Sequence, residues 1–418
     1  MPRGVPDFSP RLVAMTQLFA HLCPSGDEID LSSPLTPIWQ RLYEMGRAFR
    51  HETIGPDSDV PADAQAHRAE AAQVSGGQVT RTYVLLAPKG VDDEGAVEIV
   101  SASGEVHFDA LDADSAVGTA TISWRKGENP HRAWVGVFVR PEFRRKGIGR
   151  AALEFLRGIA LENSKTTLFT WTGERTLSPD AVGALLPHKG PGTLDPTSAS
   201  ASFLLAGDFG LDMVQKVSAF HLGEGEERSA LRDRLAAEYE ATTERYNPAG
   251  EYDILEWTAP TPEEHMERYV AMGNRFLADV PAMSGEAANR ITADIQREIE
   301  KHLVESGLTQ FNTVARHRET GEFVGMTIVN WREGAETGFI DSTWVATEHR
   351  GHRFGYLLKL HSALALLDRA PEMKKIVTWN AEENAHMWAI NEQLGYVVDD
   401  GQGGWLSHFV DGAWRARS

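Results

Sequence analysis

Apolar positions along the chain recur at two periods, and the switches between them mark out short strands and amphipathic helices. In Leu35–Arg50, residues Ile38, Trp39, Leu42, Tyr43 and Phe49 fall near one helical face. Thr80–Ala87 (TRTYVLLA) reads as a strand, and Val117–Trp124 (VGTATISW) alternates with the period of two of a pleated strand. Trp134–Val139 is a further strand. A turn with Pro141 follows it, and RAALEFLRGIAL carries the apolar stripe of a helix over Arg145–Leu161. Thr166–Thr172, a short helix Ala199–Ala206 and a strand Met213–Leu222 come next. The Pro/Gly-rich Gly173–Ser198 between them is long for a loop and reads as a lid or an insertion.

Around this series, Glu28–Leu31 reads as a short strand, Pro61–Val74 as a helix and Val97–Ala110 as an inserted hairpin. Residues 1–27 read as an N-terminal extension. Gly223–Arg228 is a polar link, and Ser229–Tyr239 a connecting helix. The order then returns. Tyr252–Ala259 is a strand, and Thr261-Pro262-Glu263-Glu264 is a helix start, with a capping Thr, Pro at the first position and acids in the first turn. That helix runs to Ala278, and a second covers Glu286–Ser306. Gln310–His317 and Gly321–Trp331 make a hairpin. Strand Phe339–Val345, helix Gly355–Asp368, strand Lys375–Trp379, helix Ala385–Leu394 and strand Trp405–Phe409 complete the chain.

The two series are copies. With Val139 set on Val345, VRPEFRRKGIG falls on VATEHRGHRFG without a gap, placing Glu142 on Glu348, Arg144 on Arg350 and Gly149 on Gly355. Phe169–Glu174 (FTWTGE) likewise pairs with Val377–Glu382 (VTWNAE). Arg144 precedes Trp171 by 27 residues and Arg350 precedes Trp379 by 29. Two features recurring in order at nearly equal spacing indicate duplication of one α/β domain, each copy near the common domain size.

Composition narrows the function. The 418 residues carry a net charge of −19, which argues against a nucleic-acid or anionic-membrane partner. The single cysteine, Cys23, permits no internal disulfide and suits a reducing cytoplasm. No secretory leader and no apolar run of spanning length is evident.

The chemistry concentrates where the strand ending at Val139 meets its helix. Arg144, Arg145, Lys146, Gly147 and Gly149 crowd a helix start, whose unpaired N–H groups and positive dipole end favour an anion. This reads as a pyrophosphate cradle; a tight turn with a solvated basic face is the competing reading. The dinucleotide fingerprint and the P-loop both need residues that are absent here.

Arg-x-x-Gly-x-Gly after a strand, in the element order above, resembles the GNAT superfamily of acyl-CoA-dependent N-acyltransferases. HRGHRFG and TWNAEENAHMWAINEQLGY are similar to the C-terminal halves of tandem GNAT proteins from actinobacteria. The resemblance implies an α/β fold with mixed sheets, in two tandem GNAT domains. These would be residues 28–222 and 250–418, joined by a linker helix in 223–249. It also implies acetyl-CoA, or another acyl-CoA, as cofactor. In the first copy its pyrophosphate would lie on Arg144, Arg145, Lys146, Gly147, Ile148, Gly149 and Arg150, and its pantetheine along Val137, Phe138 and Val139. In the second copy the corresponding residues are Trp344, Val345, Arg350, Gly351, His352, Arg353, Phe354, Gly355 and Tyr356. Arg353 stands at the first motif glycine, which puts close backbone approach in doubt.

Relatives carry an Asn that contacts pantetheine and, seven residues later, a Tyr that protonates the leaving thiolate. Asn384 fits the first role, but Asn391 stands at the second; the first copy has neither, and Asp208 replaces the usual Gly before Phe209. Asp341 is the candidate general base. His349 and His352 lack further ligands at metal spacing, so no metal is expected. The expected activity is N-acylation of a small-molecule amine by one of the two domains, in a monomer or homodimer. The alternatives are a non-catalytic acyl-CoA-binding scaffold, or acylation of a protein N-terminus or lysine.

Overall fold

The computed structural model describes residues 15–53, 63–72, 77–88, 96–102, 107–127, 129–178, 180–279, 283–284, 290–381 and 384–416. The first half comprises Met15–Leu22 (β1), Pro37–Thr53 (α1), Ala64–Ala71 (α2), Gln78–Leu86 (β2), Ala96–Ser101 (β3), Ala116–Arg125 (β4), Arg132–Val139 (β5), Ile148–Glu162 (α3), Thr167–Glu174 (β6), Ala199–Ala206 (α4) and Gly210–His221 (β7). Gly225–Tyr246 (α5) leads into Tyr252–Thr258 (β8), Glu263–Asp279 (α6), Ala293–Glu305 (α7), Leu308–His317 (β9), Phe323–Arg332 (β10), Thr337–Val345 (β11), Phe354–Arg369 (α8), Lys375–Ala381 (β12), Ala385–Leu394 (α9), Val397–Val410 (β13) and Ala413–Ala416 (β14).

One mixed sheet runs through both halves in the order β3-β1-β2-β4-β5-β6-β13-β7-β12-β11-β10-β9-β8, with β14 on β13. The halves exchange their late strands. β13 pairs antiparallel with β6 from Gly401↔Glu174 to His408↔Thr167, while β7 pairs antiparallel with β12 from Lys375↔His221 to Ala381↔Gln215. Side chains follow the strands. Trp405 of β13 is buried in the first half's core among Leu153, Leu156, Phe209 and Leu211, and its indole N–H donates to Thr172 Oγ1 at 2.8 Å. Phe220 of β7 is buried in the second half's core, stacked on Tyr396 at 5.2 Å. Apolar burial is the dominant favourable term in folding, and each half here completes the other's core.

Several local expectations change. The apolar stretch expected in an N-terminal extension is β1, seated between β3 and β2 with Leu18 and Ala20 buried; residues 1–14 lie outside the described residues. The hairpin expected over Val97–Ala110 is instead β3, parallel to β1 from Met15↔Ala96 to Ala20↔Ser101, with a short 3-10 turn at Phe108–Ala110. The strand expected at Glu28–Leu31 does not form: the Asp30 carboxylate accepts from the Ser32 and Ser33 hydroxyls at 2.6 Å each, closing a turn. The helix within 61–74 spans Ala64–Ala71, starting where Asp63 accepts from the Ala66 N–H at 2.8 Å. The second helix of the second half starts at its Thr292 cap, and residues 285–289 are outside the described set.

Candidate functional site

Parallel strands β5 and β6 pair only at Arg132↔Thr167, Ala133↔Leu168 and Trp134↔Phe169, then part. Beyond Trp134, β5 keeps β4 on one side, as far as Gly118↔Val139, and leaves its other edge open. The second half repeats this opening. β11 and β12 pair from Thr337↔Lys375 to Ile340↔Thr378, and then part.

At the end of β5 the chain turns into α3 through two residues in the left-handed region, Arg145 (φ +65°) and Gly147 (φ +83°). Gly147 is the N-cap and carries no side-chain cap, whereas α2, α4, α7 and α9 are capped by Asp63, Ser198, Thr292 and Asn384. The first-turn amides of Ile148, Gly149 and Arg150 have no carbonyl one turn back to receive them. Those orphan donors, the helix dipole and the exposed side chains of Arg145 and Arg150 form an anion site. Arg144 does not face outward with them. Its Nε donates to the Val139 carbonyl at 2.8 Å, and an Nη donates to Glu52 at the end of α1 at 2.6 Å, so it braces strand, turn and helix. Gly149 lets α4 approach: a Cβ there would lie 3.1 Å from the Phe203 ring.

A cavity of about 490 Å³ runs from this turn to the parting of β5 and β6. Its walls include Val137, Phe138 and Val139 along β5, Trp171 on β6, and Ser202 and Phe203 on α4. Its volume lies within the range of pockets that hold small molecules and cofactors. Among the described residues no tyrosine lines it.

The second turn keeps the backbone and changes the side chains. Its left-handed residues are Gly351 (φ +91°) and Arg353 (φ +60°), so glycine has moved from the second such position to the first. Arg353, whose side chain put close backbone approach in doubt, adopts the left-handed conformation that Gly147 has. The difference lies in what surrounds it. Arg353 bonds Gln393 on α9, and its guanidinium lies 5.9 Å from the Tyr246 ring and 5.6 Å from that of Tyr356. Phe354, Gly355 and Tyr356 are buried, and the Tyr356 hydroxyl bonds Glu238 of α5. Arg350 copies Arg144: its Nε donates to the Val345 carbonyl at 3.0 Å and an Nη donates to Asp279, at the end of α6, at 3.2 Å. Trp344 also donates to Asp279, at 2.9 Å. His352 is exposed, and His349 Nδ1 lies 2.9 Å from the Tyr252 hydroxyl.

Asn384 uses its side-chain oxygen to cap α9 at the Met387 N–H, 3.2 Å away, as Ser198 caps α4 at Ala201 at 3.0 Å. Asn391 is buried between Lys359, whose ammonium donates to Asn391 Oδ1 at 2.9 Å, and Asn380, whose Oδ1 accepts from the Asn391 amide at 2.8 Å. Burial pulls the Lys359 ammonium down to about 7. No sequence pattern announced this lysine, which sits within the apolar stripe of α8.

Asp341 is the extra residue of a bulge: β10 pairs Ile328 with Ser342 and Val329 with Ile340, skipping it. It stands immediately past Ile340, where β11 and β12 part. Solvent reaches it, yet the surrounding packing pushes its carboxyl above the ordinary range, against the lowering effect of Ser342. Its counterpart in the first half is Val135. Five strand spacings separate β11 from β5 in the sheet, or about 24 Å, so Asp341 belongs to the second cleft alone. The Cys23 thiol is pushed up to about 12 by burial and is no nucleophile at neutral pH. Among the described residues, no three His, Cys, Asp or Glu side chains group to hold a metal ion, and no helix is long and apolar enough to cross a membrane.

Residues 82–181 match the acetyltransferase (GNAT) family model. A tandem GNAT protein from the clavulanic acid biosynthesis pathway is 22% identical with a TM-score of 0.61, over 91% of this chain and 98% of its own. A GCN5-related N-acetyltransferase from Sphaerobacter thermophilus is 12% identical with a TM-score of 0.51, over 91% of this chain and 96% of its own. No curated protein matches. Residues 82–181 thus form a GNAT-family domain, and the two halves together share the fold of a tandem GNAT protein.

Proposed function

We propose that the protein transfers an acyl group, acetyl in the first instance, from acyl-CoA to the amine of a small molecule in the cytoplasm, and that the first half holds the CoA. The observation that carries this is the cavity joining the uncapped α3 turn to the parting of β5 and β6. The pyrophosphate would take the amides of residues 148–150 with Arg145 and Arg150. The open edge of β5 at Val137–Val139 would pair with the pantetheine as an added strand does. The thioester then lies where the strands part. There the amine nitrogen forms a C–N bond as the C–S bond breaks, and the ammonium's protons pass to the thiolate and to water. Catalysis of this kind rests mainly on positioning and on backbone stabilisation of the oxyanion.

CoA binding and CoA-thiol release with a panel of amines and peptides test the reading. The double variant Arg145→Glu/Arg150→Glu should weaken CoA binding, and Arg350→Glu should not. Tight CoA binding with no turnover on any acceptor would favour a binding scaffold instead. A second reading has transfer in the second cleft with Asp341 as base. It is supported by the bulge that sets Asp341 just past the last paired residues of β11 and β12 and by its raised carboxyl. Loss of turnover in Asp341→Asn, with turnover intact in the Arg145/Arg150 variant, would select it.

A further inference from the structure

The cavity assigned above to CoA is lined from both faces of the sheet. Val135 of β5 shares a core with Leu153 and Leu156 of α3, and Phe138 of the same strand shares one with Leu42 and Met45 of α1. Residues an odd number apart on a strand point to opposite faces, so α3 and α1 cover opposite sides. Phe203 of α4, packed against the α3 core, and Phe49 and Thr53 of α1 nevertheless line one cavity. The passage between them is the gap beyond Trp134↔Phe169, where β5 and β6 no longer pair. A thioester held from the α3 side is therefore open to attack from the α1 side.

The α1 end of the cavity is aromatic. Phe49, Phe138 and Trp171 line it, and the rings of Phe49 and Phe138 meet edge to face at 6.4 Å. The second half sets the position of Trp171. Its ring reaches from β6 over β13, where a Cβ on Gly404 would lie 2.9 Å from it. It also packs against a buried cluster of Met213, Met283, Ala381 and Leu406, the last three from the second half. Met283 is seated by its neighbour Ser284, whose N–H donates to Asp212 Oδ2 of β7 at 2.7 Å. The matching tryptophan of the second half, Trp379, is stacked instead on Phe339, 5.5 Å away and within its own half.

We propose that the α1 end of this cavity receives the acceptor, and that the acceptor is a primary amine with an aromatic body, bedded against Trp171, which the second half positions through Gly404 and Met283. The proposal rests on the acyltransfer reading above and names its substrate class. The balanced step is R–NH₃⁺ with the thioester giving amide, free CoA thiol and one proton.

The test compares phenethylamine and tryptamine with ethylamine, which lacks the ring, in CoA-thiol release and in calorimetric binding to CoA-loaded protein. Wild type should favour at least one aromatic amine by about tenfold or more, the lower range for burying an aromatic side chain. Gly404→Ala should push the indole aside and raise KM for the aromatic amine, leaving kcat and CoA affinity near wild type. Because Gly404 is in a crowded strand, Trp171 is varied as well: Trp171→Phe should keep most of the ring preference and Trp171→Ala should lose it. Ring-dependent binding that falls in Gly404→Ala and Trp171→Ala, without turnover of any amine, would sustain the pocket and sink the acyltransfer reading. No ring preference in turnover or in binding, or a preference that survives both of those variants, would overturn the proposal.

Discussion

The Arg144 guanidinium donates from Nε to the Val139 carbonyl at 2.8 Å, tying the last residue of a strand to the turn five residues on. Arg350 and Val345 repeat the contact 206 residues later at 3.0 Å. In each half a second bond from the same arginine runs to an acid at the end of that half's first long helix, Glu52 of α1 or Asp279 of α6. This arginine therefore holds the shape of the turn, and the CoA reading proposed above assigns the phosphate to the amides behind it. Arg144→Gln is expected to weaken CoA binding about tenfold, the value of one hydrogen bond from a charged group. Isothermal titration of CoA checks it. An unchanged affinity would mean that the turn holds its shape without the brace.

Arg353 distinguishes the two clefts. It bridges the start of α8 to Gln393 on α9, whereas Gly147 at the same place in the first turn has no side chain and lines the cavity. The left-handed backbone of Arg353 is one that glycine adopts without strain. Arg353→Gly should remove the bridge and relax the turn. The wild type should bind one CoA per chain, and the variant should approach two, read as calorimetric stoichiometry. Two equivalents in the wild type would show that the bridge does not obstruct the cleft.

Trp405 measures how far the halves depend on each other. It is fully buried in the core of the half to which it does not belong in sequence. Trp405→Ala should cost about 3–5 kcal/mol, the usual range for a large aromatic removed from a core. Removing it also leaves Thr172 without its indole donor. Denaturant unfolding should show one transition for the whole chain, shifted intact in the variant. Two separated transitions in the wild type would contradict the interlocked cores.

Periodicity exposed most of the sheet because its strands alternate against helices. Both halves were visible as copies because the turn and the Trp171/Trp379 strand keep their spacing. The strand exchange left no such mark. Residues 397–404 (VVDDGQGG) are polar and glycine-rich, yet they form the start of β13 at the centre of the sheet. The glycines answer to crowding: a Cβ on Gly401 would lie 2.4 Å from Thr176, one on Gly403 2.7 Å from Leu194, and one on Gly404 2.9 Å from Trp171. Such close approach is set by tertiary neighbours, which a local pattern does not carry. β1 was missed for a related reason. It pairs with a strand more than 70 residues away in sequence, and it buries only one face.

Of the candidate site, the strand-to-helix turn was legible and the bracing contact of its arginine was not. Charge alone suggested that Arg144 faces phosphate, whereas its reach back to Val139 depends on where β5 ends. Asp341 was legible as a carboxylate on the strand before the second turn. The bulge that leaves it out of the β10 register is a pairing irregularity and lies outside what one strand's sequence shows.

Lys359 makes stability depend on pH. Its ammonium is buried and falls from an ordinary 10.5 to about 7 in the folded protein. Below pH 7 folded and unfolded chains both hold the proton, and the full cost of a buried charge is present. As pH rises from about 7 toward 10.5 the folded chain releases its proton while the unfolded chain keeps it, so stability climbs, and above 10.5 it levels. Between pH 7 and 9.5 the climb from this group should reach about 3 kcal/mol, at about 1.4 kcal/mol per pH unit. Lys359→Met, similar in length and uncharged, should remove that part of the climb. It should also release the Asn391 side chain from one of its two partners. Urea denaturation of both proteins at pH 7 and 9.5 provides the comparison. Equal gains in stability for wild type and variant would mean that Lys359 stays protonated in the fold, with Asn391 and the Tyr396 ring, 5.0 Å from the ammonium, stabilising its charge.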